Sequence, residues 1–404
     1  MEFHTYTLPN GIRGIHRQVK SNVAHCALAV NAGSRDELPT EFGLAHFTEH
    51  GFFKGTNHRK AYQVNCRLEN LGGELNAYTT KEDTTIHATV LKGDFSKAAE
   101  LISDIAFEST FPEKELAKER EVICDEINTY KDSPTEMIYD SFEDMLFAGS
   151  ELGHNILGRK TSLARFGTDA ILKFRKRTHT TDQMVFASIG NMSPHTVQSV
   201  AERYFAERPA TRREYERVAP GQYVRFEKTV VKHTHQNHCI VGNRAYGIRD
   251  DKRLPLALLV NILGGPCANS LLNVVIREKN GLSYNIEANY TPYIDTGIVA
   301  IYFSSDNGNS DLCIDLIDKQ IKKLQQSPLS SRQLSMSKKQ FIAQLAVSME
   351  NNESYMLGLG KSLLIHNEVD TIEEICRKID SLKAEQLTDV ANEIFTDNSI
   401  LLYK

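Results

Sequence analysis

The sequence predicts an α+β fold built as two tandem, similar domains. Three observations carry that expectation: the length, an echo between the two halves, and the recurrence of strand-like and helix-like patterns in each. At 404 residues the chain exceeds one ordinary core and suits two domains of about 200 residues. The echo joins Ala24-His25-Cys26-Ala27-Leu28-Ala29-Val30-Asn31 to Asn237-His238-Cys239-Ile240-Val241-Gly242-Asn243, an offset of 213 residues from His25 to His238. Near the far end of each half, Thr181-Asp182-Gln183-Met184-Val185 resembles Thr396-Asp397-Asn398-Ser399-Ile400, at an offset of 215. Two distant matches at nearly one offset indicate duplication.

Within the halves, the alternation from Thr84 to Leu91 and from Gly297 to Ser304 predicts strands, because side chains of a strand point alternately to opposite faces. Asp94 to Phe107 and Pro112 to Tyr130 have the apolar spacing of helices. The charged, proline-bracketed run Glu207 to Gly221 is expected to be an exposed linker. These features place a first domain at 1–207, a linker at 208–221 and a second domain at 222–404.

A hydrophobic share of 41% with 25% charged residues is that of a globular chain. A net charge of −5 gives no basic footprint for nucleic acid. The longest apolar runs, such as Leu256 to Leu263, are too short to span a membrane, so neither partner is expected. The start, Met1-Glu2-Phe3-His4-Thr5, lacks the basic and apolar segments of a secretory signal, and the expected location is the cytoplasm. The seven cysteines, which lack CxxC spacing, are expected to be reduced core residues.

The chemistry is concentrated in His46-Phe47-Thr48-Glu49-His50. On a helix the i, i+3 and i+4 positions share a face, so two imidazoles and a carboxylate converge. Imidazoles one turn apart can hold one Zn²⁺, and a carboxylate beside them can accept a proton from a water at that metal. A catalytic zinc usually takes a third protein ligand. The helix Pro112 to Tyr130 offers Glu119 and Glu126, two turns apart, on a face expected to include Val122, Ile123, Ile127 and Tyr130. Carboxylates buried on an apolar stripe need compensation, which metal ligation gives Glu126 and support of a ligand gives Glu119; the alternative for both is a salt bridge to Arg or Lys across a domain surface. A second histidine group, His233, His235 and His238, fits a metal less well, since on a strand His238 faces away from the other two. His87 is read as a strand-face residue.

These residues resemble the pitrilysin and insulin-degrading enzyme family, which includes the mitochondrial processing peptidases and shorter bacterial peptidases. Its signature is HxxEH followed by a distant glutamate; here Glu126 lies 76 residues after His50 and seven after Glu119, the family's spacings. Further similarity runs through Phe53-Lys54-Gly55-Thr56, Gly72-Gly73-Glu74-Leu75-Asn76-Ala77-Tyr78-Thr79 and Arg277-Glu278-Lys279-Asn280-Gly281-Leu282-Ser283-Tyr284. Gly51 departs from the family, where a larger apolar residue is common.

The resemblance implies two α+β domains, each a mixed, largely antiparallel sheet packed with helices, together forming half of a clamshell. It implies one Zn²⁺ per chain on His46, His50 and Glu126, with Glu119 supporting the ligands and Glu49 as general base. Asn76, Ala77 and Tyr78 are expected to offer an edge strand to a peptide substrate. The second domain lacks the metal motif, having Leu258-Leu259-Val260-Asn261-Ile262 at the corresponding place. It is expected to supply Arg277 and Tyr284 to the substrate carbonyl at the zinc site of a partner chain. A homodimer, or a heterodimer with a related chain, would complete the chamber. The expected activity is zinc-dependent endopeptidase cleavage of peptides or unfolded segments. The rival is a non-catalytic assembly subunit of the same fold, against which the intact ligand set argues; a structural zinc would normally have four protein ligands, often cysteines.

Overall fold

The computed structural model describes residues 3–232 and 234–404. Two sheets organise it. The first contains β1 (His4–Thr7), β2 (Arg13–Gln18), β3 (Val23–Val30), β4 (Glu74–Thr79), β5 (Thr84–Leu91) and β6 (Met184–Gly190), in the order β1-β2-β6-β3-β5-β4. The second contains β7 (Glu227–Val230), β8 (Asn237–Ala245), β9 (Ile286–Pro292), β10 (Gly297–Ser305) and β11 (Ser399–Tyr403), in the order β7-β11-β8-β10-β9. The fold is α+β, with long helices packed on both sheets.

The duplication is explicit in the pairing. β2 with β6 and β7 with β11 are parallel, while all other pairs in both sheets are antiparallel. Cys26 pairs with Ala88 across β3 and β5, and Cys239 pairs with Phe303 across β8 and β10, so the echoed segments occupy the same place in each sheet. β4 and β9 are therefore equivalent edges, each bonded to a neighbour on one side only.

The helices that matter below are α1 (Leu44–Phe52), α2 (Glu113–Lys131), α3 (Pro134–Leu146), α4 (Arg253–Gly264) and α5 (Asn352–His366). Alternation along β3 sends Cys26, Leu28 and Val30 into a core with α1 and the helix Phe95–Glu108. Ala27 and Ala29 point to the other face. There Ile15, Val185, Ala187 and Ile189 join them against Tyr355, Met356, Leu359, Leu363 and Leu364 of α5. In the second sheet Ile240, Ala300 and Tyr302 pack on Ile138, Phe142 and Leu146 of α3.

Each sheet is thus backed by a helix from the other half of the sequence. One compact unit comprises Met1–Thr129, His154–Val218 and Ser348–Val369; the other comprises Tyr130–Gly153, Ala219–Val347 and Asp370–Lys404. The division at 1–207 and 222–404 did not anticipate these two excursions, because an amphipathic helix records that it has an apolar face but not which sheet will cover it.

The run 208–221 is irregular and mostly exposed, as expected of a linker, but it is anchored to the first unit. Arg217 pairs with the fully buried Asp36 carboxylate at 2.7 Å, and the Tyr215 hydroxyl donates to the same group at 2.9 Å. The Val218 carbonyl accepts from Arg35 at 2.9 Å. Arg208, Arg213 and Arg217 have partners distant in sequence, while Arg212, Glu214 and Glu216 face solvent. All seven cysteines are free, with Cys26, Cys239 and Cys313 buried and the other four half-buried, so only three are core residues. No helix among the described residues is long and apolar enough to cross a membrane.

Candidate metal centre

On α1, His46 and His50 lie one turn apart with ring centroids 4.6 Å from each other. Their Nε2 atoms face the Glu126 carboxylate of α2 at 3.8 and 3.7 Å. Such separations are too long for hydrogen bonds. They suit ligands of one ion: atoms held ~2.0–2.1 Å from a shared zinc lie about 3.3 Å apart in a tetrahedron and at most about 4.2 Å. This trio, with ligand atoms all within 4.8 Å of one another, is the one group of its kind among the described residues.

Burial, and then the nearness of His50, lower the His46 imidazole to a pKa of about 3, so it stays neutral, the form that ligates. The His50 Nδ1 meets Glu119 Oε2 at 3.0 Å, a bond that fixes the tautomer leaving Nε2 free toward Glu126. The other Glu119 oxygen pairs with Lys54 at 2.6 Å. His46 has no such support: its Nδ1 is buried without a hydrogen-bond partner. Two neutral imidazoles and a carboxylate form a zinc donor set, and the residues fit the ion.

Glu49 sits on the same turn. Burial raises the pKa of its carboxyl to about 7, against the opposing pull of His50 and of Thr79 at the end of β4.

Residues 15–160 match the insulinase domain of peptidase family M16, and residues 165–341 match the family's inactive domain. An uncharacterized zinc protease of Bacillus subtilis, YmxG, is 31% identical over 98% of this chain and 96% of its own length. The chain belongs to peptidase family M16. An uncharacterized zinc protease of Rickettsia bellii is 30% identical over the same shares of the two chains. The fold also matches a protease from Helicobacter pylori at a TM-score of 0.90 and 21% identity, covering 100% of this chain and 99% of that one. A peptidase M16 inactive domain from Pseudomonas fluorescens matches at 0.92 and 17% identity, covering 100% and 98%.

For this M16 chain two details of the α2 face need correction. Glu119 is buried, but the Glu126 side chain is 43% exposed, so the cost of burying a carboxylate argues for compensation of Glu119 alone, and Lys54 with His50 provides it. Val122 is also half exposed. It lies about 120° from the centre of the stripe that Ile123 and Ile127 define, which is too far round to be covered.

Asn76, Ala77 and Tyr78 lie on β4, whose outer edge is unpaired. Across β5, His87 bonds Glu353 of α5 at 3.0 Å. In the second unit the Arg277 guanidinium sits over the Tyr284 ring, 5.1 Å from its centroid. The turn joining them is closed by bonds from Gly281 N to Arg277 O and from Leu282 N to Ile276 O, both 3.0 Å. Tyr284 is 82% exposed, leaving its hydroxyl available. In the same unit α4 carries Leu258 to Ile262 and offers no ligand. His233 lies outside the described residues, and His238 is committed to the Tyr302 hydroxyl at 2.8 Å.

The departure at Gly51 has a steric reason: a Cβ there would lie 2.7 Å from Cδ1 of Phe111. Lys54, the partner of Glu119, was not singled out from the sequence. It lies two residues past the end of α1, so helical spacing did not flag it.

Proposed function

We propose that this M16 chain is a zinc-dependent endopeptidase that cleaves peptides or unfolded polypeptide segments. The observation that carries the proposal is the convergence of His46, His50 and Glu126 with Glu49 one turn away. Zinc held by those three residues would supply a Lewis acid that polarises the scissile carbonyl and acidifies a water.

The protein's own groups would do the rest. Glu49, one turn from the ligands on α1, takes a proton from the attacking water and returns it to the leaving amine; a carboxyl whose pKa lies near the working pH serves both steps. Glu119 holds His50 in the ligating tautomer, and Lys54 balances the Glu119 charge. The open edge of β4, at Asn76, Ala77 and Tyr78, pairs with the main chain of an extended substrate. Main-chain pairing tolerates many side chains, so the substrate class is defined by conformation more than by sequence.

Arg277 and Tyr284 would donate to the substrate carbonyl, a preorganised contribution typically worth ~10²-fold or more in rate. We place them at the zinc site of a partner chain in a cytoplasmic homodimer. Free cysteines throughout the chain support a reducing compartment.

Mixing two inactive variants tests the reading. Glu49→Gln and Tyr284→Phe protein, each silent against a quenched peptide library, should regain partial cleavage after subunit exchange. No recovery with exchange demonstrated would remove the shared site, and wild-type protein that takes up zinc yet cleaves no unfolded peptide would favour the assembly-subunit role.

A further inference from the structure

The start of α1 has an unusual anchor. Its N-cap is Gly43, which has no side chain with which to satisfy the free N–H groups of the first turn. Two of those groups are met instead by Glu37, six residues before Gly43, while Leu44 N reaches the Glu41 carbonyl at 2.8 Å. Glu37 Oε2 accepts from Gly43 N at 2.9 Å and Oε1 from Ala45 N at 2.6 Å. The next residue is His46.

The Glu37 carboxylate is fully buried, and its remaining capacity is taken by His154 Nε2 at 2.7 Å. His154 comes from a distant segment, and several contacts hold it there. Its ring stacks on Phe42 at 3.8 Å and 9°, and its carbonyl accepts from Lys81 at 2.5 Å. Nearby, Ser162 donates to the Phe42 carbonyl at 2.8 Å. Gly43 and Gly158, with φ of 99° and 69°, cross so closely that a Cβ on Gly158 would lie 2.4 Å from the Phe42 carbonyl oxygen. A cap supplied by one neighbouring side chain would stabilise the helix without fixing where it stands. A buried carboxylate gripped from another segment fixes both the height and the rotation of the first turn.

We propose that Glu37 and His154 are positioning residues that set His46 and His50 against Glu126, so that zinc affinity depends on this buried pair although neither touches the metal site. α1 is nine residues long, about 13 Å, so a small shift at its start is carried into both ligands. Zinc ligands tolerate departures of only about 0.2 Å. Neither residue has a ligating or proton-transferring role in the function proposed above, on which this inference rests.

The test is zinc affinity of the full chain, stripped of metal and measured against a competing chelator dye, beside the thermal midpoint of the stripped protein. Glu37→Gln, whose amide nitrogen cannot accept a second N–H, and His154→Leu, which cannot donate, should each weaken zinc binding ten- to hundredfold, the range for residues that orient ligands. His154→Gln places a donor near the position of Nε2 and should recover most of the affinity. Val197→Ala, a core truncation on the helix Pro194–Phe205, should lower the midpoint with affinity unchanged. If Glu37→Gln does not fold, His154→Leu decides alone, because it leaves both backbone bonds of Glu37 in place. Wild-type affinity in folded His154→Leu protein overturns the inference while leaving the metal site standing. A wild-type chain that binds no zinc removes both.

Discussion

Removing α5 from the first sheet should unfold that unit. The perturbation is to express residues 1–218 with Ile138, Phe142 and Leu146 of α3 changed to Ser, since their own sheet is absent; this keeps every strand of the first sheet and the metal-site residues but omits 348–369. The loss uncovers Ile15, Ala27, Ala29, Val185, Ala187 and Ile189. It also forfeits the burial of Tyr355, Met356, Leu359, Leu363 and Leu364, each at most 8% exposed in the intact chain. At about 1.5–3 kcal/mol per buried side chain, the five contribute on the order of 10 kcal/mol. Net domain stability is only about 5–15 kcal/mol, so the fragment should lack a cooperative melt and associate through the bared sheet face. Circular dichroism melts and sedimentation of 1–218, with and without a synthetic 348–369 peptide, read both effects. A soluble, monomeric 1–218 fragment with a sharp thermal transition would refute the claim that α5 is part of the first unit's core.

Three further outcomes are expected. Gly51→Ala gains about 1 kcal/mol of helix propensity but places a methyl 2.7 Å from the fully buried Phe111 ring. Overpacking costs about 1–3 kcal/mol, and Phe111 is held at φ 50° with little room to yield. Urea titration should show a net loss, partly recovered by adding Phe111→Leu; a gain in stability would contradict the steric account. Burial opposes the Asp36 charge, but Arg217, Arg213 and the Gly33 N–H outweigh it and hold the carboxyl below its ordinary pKa. Its stabilisation is therefore complete above the unfolded value of ~3.9 and lost as pH falls toward the folded one. Asp36→Asn should cost about 3 kcal/mol at neutral pH and flatten the acid limb of the stability profile, seen in urea melts from pH 7 to pH 3. Glu119→Gln should weaken zinc binding ten- to hundredfold in chelator competition, with the histidines and Glu126 untouched.

What the sequence made legible was what depends on neighbours along the chain. The spacing of His46, Glu49 and His50 needs only a helix to put them on one face, and α1 supplies it. Glu119 and Glu126 follow from the same geometry on α2, and the strand from Thr84 to Leu91 is found with those bounds. What depends on distant partners was hidden. The helices α3 and α5 were not read from the sequence, nor was their exchange between the two sheets. Asp36 draws in the Arg217 side chain across 181 positions, leaving it 7% exposed within a run that otherwise mostly faces solvent. Glu37 left a faint signal: a functional helix opening on Gly43 has unsatisfied N–H groups, and some acceptor must meet them.

The central claim is that His46, His50 and Glu126 hold a zinc beside a Glu49 that moves the proton. Zinc per chain and peptide cleavage, measured together on wild type, Glu49→Gln and Glu126→Gln, test it most directly. The account predicts one zinc and cleavage for wild type. It predicts one zinc and a loss of at least ~10²-fold in rate for Glu49→Gln, and loss of both zinc and cleavage for Glu126→Gln. Full zinc in Glu126→Gln, or undiminished cleavage by Glu49→Gln, would contradict it.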